Sequence, residues 1–338
     1  MVRGNIIISS IGVLARKFRV LQEVWILPYW EGAGVASIPV WALDISVLIA
    51  KLCSTCVMAV IKVFIPPVMK SLYGETILVT GAGHGVGREL AIQLADLGAT
   101  VVCWDTDARK NNAVVDEIRS KDGECLGYTV DVSVREQVKE SASRMRRELI
   151  EVSMVISNAG IFINAPITQL QPEVIAKMIE TNLLAHLWII QSFLPSMIDR
   201  HYGHIVAINS SAGLMPFSNM VPYCAAKFGL RGLMESITEE LRLSCLTKNI
   251  KTTSVYLATV STGLYPPPSH RFTSWYCQVT AKEAATIIIQ GIRKNRTCIS
   301  IPYFMETLIM LHNIIPYRLR IVFTDFFNFG NRGWFYFC

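Results

Sequence analysis

Three side chains of this sequence, Ser210, Tyr223 and Lys227, have the types and spacing needed to move a proton. Tyr223 and Lys227 stand four apart at the start of an expected helix, so they share one face. A phenol with a pKa of about 10 is a poor base at neutral pH, and a neighbouring ammonium favours its phenolate. Paired in that way, Tyr223 can donate a proton during carbonyl reduction or accept one during alcohol oxidation. Ser210 follows the apolar strand HIVAIN (204–209), at the end where open α/β sheets bind ligands, and its hydroxyl can hold the substrate oxygen. Taken alone, Tyr-x-x-x-Lys also describes a surface tyrosine beside a solvated lysine.

A second group of residues suits a dinucleotide. The strand ILVT (77–80) runs directly into TGAGHGVG (80–87) and then into a helical stretch. Gly81, Gly85 and Gly87 let the backbone turn tightly and approach a pyrophosphate at the helix N-terminus, where free N–H groups and the helix dipole attract anions. A glycine pattern is weak evidence by itself. Here an acid, Asp105, ends the next strand, 18 residues beyond Gly87. A carboxylate there accepts hydrogen bonds from the adenosine ribose and repels a 2′-phosphate, which favours NAD over NADP.

The elements that must position these residues are legible as an alternation. Apolar runs at 77–80, 100–104, 126–130, 153–157, 204–209, 251–256 and 298–302 are separated by stretches of helical period such as 88–97 and 222–245. Continuous apolar strands divided by helices predict a parallel sheet covered on both faces, a doubly wound α/β domain of Rossmann type. It is expected over 71–302, preceded by a leader and membrane anchor (1–70) and followed by an apolar aromatic tail (303–338).

The 338 residues are 51% hydrophobic and only 17% charged, which excludes a disordered chain and leaves apolar residues beyond the needs of a core. The surplus lies at the ends. Ile45–Ile65 is 21 residues long, about what a bilayer crossing needs, although Lys51 lies within it. A buried core helix is the soluble alternative. The short apolar stretch Asn5–Leu14 precedes Arg16, Lys17 and Arg19, which fits a cleaved signal peptide poorly, so the N-terminus is read as retained. The net charge of +6 comes without any block of five like charges, so no nucleic-acid partner is expected. Nine scattered cysteines suit reduced thiols rather than a disulfide scaffold, and Cys53 and Cys56 lack a second pair for a metal; no metal site is expected.

TGAGHGVG, SNAG (157–160), Asn182 in ETNLLAHLW, SSAG (210–213) and YCAAK (223–227) stand in the order found in short-chain dehydrogenases/reductases, and the chain resembles that family over about residues 74–302. LVTGAGHGVGREL, YGHIVAINSSAG and VPYCAAKFGL, with the apolar leader, resemble its membrane-associated branch, which holds the retinol dehydrogenase 10, epidermal retinol dehydrogenase 2 and 17-beta-hydroxysteroid dehydrogenase 11 groups. The resemblance implies Tyr223 as catalytic acid/base, Lys227 as ligand of the nicotinamide ribose, Ser210 as holder of the carbonyl, and Asn182 as the residue that kinks its helix and holds a relay water. It also implies Asn158 beside the cofactor, Asp131 near the adenine and Thr262 at the nicotinamide carboxamide. Two positions depart from the family pattern: Ser157 stands before Asn158 where an Asn is usual, and Leu257 replaces a proline beside the nicotinamide.

The expected function is hydride transfer between NAD and a lipophilic alcohol or carbonyl: a retinoid, a steroid or a long-chain lipid. Phe162, Phe217, Tyr265, Phe272 and Trp275 are candidates for its apolar pocket. A fatty-acyl or 3-ketoacyl reductase and a weakly active lipid-surface protein are the alternatives. The resemblance further implies a homodimer and a place on the endoplasmic reticulum or lipid droplets; the reduced-looking cysteines favour a cytosolic catalytic domain.

Overall fold

A computed structural model describes residues 40–65, 67–258, 260–261, 279–305, 307, 314–316 and 318–322. The chain divides into two compact units, Met1–Pro67 and Val68–Cys338.

In the first unit, α1 (Val40–Phe64) carries the apolar leader on a 25-residue helix. Its window Trp41–Met58 has a mean hydropathy of 1.6 and none of it is buried. Among the described residues it is the one helix long and apolar enough to cross a membrane.

The second unit starts three residues before the expected 70/71 boundary, because Lys70 is tied into it. Its N–H donates to Arg293 O (2.8 Å), its carbonyl accepts from Arg293 Nε (3.0 Å), and its ammonium lies 3.1 Å from His204 Nδ1. Strands and helices then alternate: β1 (Thr76–Thr80), α2 (Gly85–Asp96), β2 (Thr100–Asp105), α3 (Ala108–Arg119), β3 (Cys125–Thr129), α4 (Arg135–Arg147) and β4 (Met154–Ser157). They continue with α5 (Pro172–Ile179), α6 (Ala185–Asp199), β5 (Gly203–Ser210), α7 (Val221–Leu243), β6 (Ile250–Leu257), the short pair β7 (Val260–Ser261) and β8 (Val279–Thr280), α8 (Ala281–Arg293) and β9 (Cys298–Ile301).

Seven strands form one parallel sheet in the order β3-β2-β1-β4-β5-β6-β9. The central strands β1, β2, β4 and β5 are buried on both faces, which is why they read as unbroken apolar runs. Alternate residues feed two cores. Ile77, Val79, Val101 and Cys103 pack with Leu90 of α2, Ile118 of α3 and Ile288 of α8. Leu78, Val102 and Trp104 pack on the other face with Met145 of α4, Ile189 and Phe193 of α6, and Leu230 of α7. Each fully buried side chain of this size contributes about 1.5–3 kcal/mol. Local signals set the helix starts: Asp107 accepts from Lys110 N–H (3.1 Å) to cap α3, and Thr280 with Glu283 forms a capping box on α8.

Candidate active site

The sheet order reverses direction between β1 and β4, and a cleft of about 420 Å³ opens over the carboxyl ends of the strands there. It brings Gly81, Gly85, Asp105, Asp131 and Asn158 together with Asn182, Ser210, Tyr223 and Lys227. Gly87 supports the loop from beneath, and Thr262 lies outside the described residues, as do Tyr265, Phe272 and Trp275.

The glycine loop fits a pyrophosphate for steric reasons that the structure makes explicit. A Cβ on Gly87 would stand 2.0 Å from Gly81 O, so α2 can pack this close to β1 only with glycine there. Gly81 and Gly85 adopt φ of 66° and 57°, the left-handed region that glycine enters at little cost. His84 precedes α2 without a side-chain cap, which leaves first-turn N–H groups to face an anion. Asn158 Nδ2 donates to Thr80 O (3.0 Å) and Gly81 O (3.2 Å), and Thr80 Oγ1 accepts the N–H groups of Asn158 and Ala159 at 3.0 and 3.1 Å. The loop is thereby fixed between β1 and β4.

Asp105 ends β2 with both carboxylate oxygens engaged: Oδ2 accepts Gly83 N–H at 2.8 Å and Oδ1 accepts Asp107 N–H at 2.9 Å. Asp131 follows β3. Burial alone would raise its pKa, but the Ser133 hydroxyl and N–H and the Lys177 ammonium (2.9 Å) outweigh that and hold the carboxyl below its ordinary range.

At the opposite end, Tyr223 occupies the first turn of α7 and is 5% exposed, with the Phe162 ring edge-on at 5.1 Å between centroids. Lys227 lies one turn on, its Nζ 5.7 Å from the Tyr223 ring centroid and donating to Ile208 O at 3.1 Å. Burial draws the Lys227 ammonium down from 10.5 to about 8. Ser210 Oγ accepts Ala212 N–H (3.2 Å), a bond that orients the hydroxyl at the end of β5. Asn182 sits in a π-helical turn, Glu180–Leu184, between α5 and α6. Its Nδ2 donates to Ile161 O (2.8 Å) and Met178 O (3.0 Å). Leu257, at the proline departure, lines the cleft from the end of β6. Phe217 packs with Leu214, Met215 and Met305.

Sequence reasoning missed two residues that hold this arrangement together. Asn209 accepts Ser210 N–H through Oδ1 (2.8 Å) and donates through Nδ2 to Lys227 O (3.2 Å), joining β5 to α7. Its place beside Ser210 was the available signal. Lys177 had none, because its partner Asp131 is 46 residues away.

Comparison with known proteins agrees with this geometry. The family model for short chain dehydrogenases matches residues 75–269. Human 17-beta-hydroxysteroid dehydrogenase 13 is 32% identical over 286 residues, covering 85% of this chain and 94% of its own. Mouse epidermal retinol dehydrogenase 2 is 34% identical over 258 residues, covering 76% and 83%. A solved short chain dehydrogenase/reductase from Burkholderia phymatum, in complex with NAD, superposes with a TM-score of 0.66 at 24% identity, over 72% of this chain and 95% of that one. The chain belongs to the short chain dehydrogenase family, and it is an oxidoreductase whose cleft is shaped for a nicotinamide dinucleotide.

Proposed function

We propose that this protein is a membrane-associated dehydrogenase that transfers hydride between NAD(H) and a lipophilic alcohol or carbonyl of the steroid, retinoid or long-chain lipid class. The observation that carries the reading is the convergence of Ser210, Tyr223 and Lys227 on the cleft that also holds the glycine loop and Asp105. Bound NAD supplies the hydride acceptor for alcohol oxidation. Ser210 donates a hydrogen bond to the substrate oxygen, Tyr223 takes the hydroxyl proton, and the Lys227 ammonium stabilises the phenolate at neutral pH. Asn158 and the glycines position the pyrophosphate, and Asp105 accepts from the adenosine ribose while opposing a 2′-phosphate.

Three observations support the lipophilic substrate and the membrane: the unburied apolar α1, the aromatic edge of Phe162 beside Tyr223, and relatives named for steroid and retinol dehydrogenation. The reading extends to the endoplasmic reticulum or lipid droplets, with the catalytic unit on the cytosolic side, where thiols stay reduced. It also includes a homodimer built on the helices that bear Asn182 and Tyr223.

The deciding assay follows nicotinamide absorbance with NAD and NADP against retinol, steroid alcohols and long-chain alcohols. Turnover with NAD on at least one of them is expected, and Asp105→Ser should narrow or invert the preference over NADP. A wild-type preference for NADP would overturn the role given to Asp105. Light scattering in detergent that shows only monomer would remove the dimer.

A further inference from the structure

The departure at position 257 changes the hydrogen bonding around Ser210. Where the family pattern has a proline, which carries no N–H, this chain has Leu257, the last residue of β6. The strand runs through it in register with both neighbours: Leu257 pairs with Ser210 of β5 and with Ile301 of β9.

The direction of the Leu257 N–H follows from the bonds on either side of it. Ser254 N–H donates to Thr297 O and Ala258 N–H to Ile301 O, both at 2.9 Å, so the even-numbered amides of β6 face β9. Successive N–H groups of a strand point to opposite neighbours, so that of Leu257 faces β5. In a parallel ladder it meets the carbonyl of the residue before its register partner, which is Asn209.

Asn209 is the residue that holds the serine and the lysine in place. It is buried, its Oδ1 accepts Ser210 N–H at 2.8 Å, and its Nδ2 donates to Lys227 O at 3.2 Å. A Cβ on Gly213 would stand 2.7 Å from both Asn209 Oδ1 and Lys227 O, so the amide has no room to turn. The Asn209 carbonyl is then the group that a proline at position 257 would leave without its β6 donor. The half-buried Leu257 side chain packs against the core that holds Val255 and Ile301, and it lines the cleft with Ile208 and Val260.

We propose that Leu257 is a positioning residue for Ser210: its N–H fixes the Asn209 carbonyl, and Asn209 in turn fixes the serine at the end of β5 and the turn of α7 that bears Lys227. One backbone donor thereby ties β6 to both sides of the proton-handling group. A proline removes that donor and sets its ring carbons against the same carbonyl, which displaces the end of β5. A valine keeps the N–H and an apolar side chain on the cleft wall. The catalytic consequence rests on the dehydrogenase reading, whereas the backbone bond does not.

Full-length protein in detergent tests both statements, as wild type, Leu257→Pro and Leu257→Val. In the cofactor-free wild type, hydrogen exchange resolved to single amides should show the Leu257 N–H exchanging at least about 100-fold slower than an unprotected amide. Exchange at the unprotected rate overturns the proposal whatever the enzyme's substrate. For alcohol oxidation, Leu257→Pro should lower kcat by about tenfold, on the order of one lost hydrogen bond, and Leu257→Val, which retains the N–H, should recover most of that loss. Dinucleotide affinity, read by nicotinamide fluorescence, should differ between the two variants by less than about threefold. Equal kcat values for the two variants, or a fall in affinity as large as the fall in kcat, overturns the positioning role. Absence of wild-type turnover with every lipophilic alcohol would instead strike the dehydrogenase reading. If Leu257→Pro fails to fold, the wild-type exchange decides.

Discussion

Burial moves the Lys227 ammonium from 10.5 to about 8, and this displacement is also a statement about folding. About 2.5 pH units at about 1.4 kcal/mol each means that the folded state carries a penalty of about 3 kcal/mol for the charged group. Below pH 8 the folded and unfolded chains both hold the proton, and the penalty is present in full. As pH rises from about 8 to 10.5 the folded chain releases the proton before the unfolded chain does, so the penalty fades and the wild type gains stability. Lys227→Met removes the charge and fills most of its volume, at the loss of the 3.1 Å bond to Ile208 O, about 1 kcal/mol. The variant should therefore be more stable than its parent by about 2 kcal/mol at pH 7, and this lead should close or reverse near pH 10. Turnover should fall at least about 100-fold, because the phenolate loses its cation. Urea unfolding of the cofactor-free protein, followed by tryptophan fluorescence, measures the difference; running parent and variant in a Tyr223→Phe background removes the phenol's own titration. A variant less stable than its parent at pH 7, or a gap that does not change with pH, would refute the reasoning.

Tyr223→Phe should lower turnover by about 10²–10⁴ while dinucleotide affinity, read by nicotinamide fluorescence, changes little. Near-normal turnover would take Tyr223 out of the chemistry. Gly87→Ala places a Cβ 2.0 Å from Gly81 O and should weaken dinucleotide binding at least about tenfold with the helical circular dichroism retained; unchanged affinity would mean that the loop tolerates the displacement. Deleting residues 1–67 leaves the second unit intact, Lys70 included, and should release much of the protein from membranes. Full-length protein that washes off in alkaline carbonate would make α1 a packed helix rather than an anchor.

The parallel sheet was legible because its central strands, buried on both faces, appear as runs such as ILVT and HIVAIN, and the expected strand edges fall within one residue of the observed ones. The glycine loop was legible for a related reason: steric demand at Gly81 and Gly87 admits no other residue type, so the requirement is written in the sequence itself. What stayed hidden depends on contacts between distant positions. Nothing near Lys70 announces that it hydrogen-bonds His204, whose Nε2 in turn lies 2.8 Å from Thr253 Oγ1, and the second unit therefore begins before the expected 70/71 boundary. Likewise, Asn209 reads as one more polar residue before a serine until α7 is seen to pass beside it.

The two backbone bonds of Asp105 bear on any attempt to redesign this protein for the other nicotinamide dinucleotide. The carboxylate that would discriminate against a 2′-phosphate is also what fastens Gly83 and Asp107 to the end of β2, and a Cβ on Gly83 would sit only 2.9 Å from Oδ2. On the proposed reading, recognition and scaffolding fall to the same two oxygens. A serine or asparagine at position 105 retains one acceptor and frees one N–H, while an alanine frees both and loosens the segment that must meet the adenosine. Switching the preference by single replacement should consequently lower affinity for both dinucleotides, and an engineer would need a compensating change at Gly83 or at Thr106, which also lines the cleft, to recover a firm hold on either one.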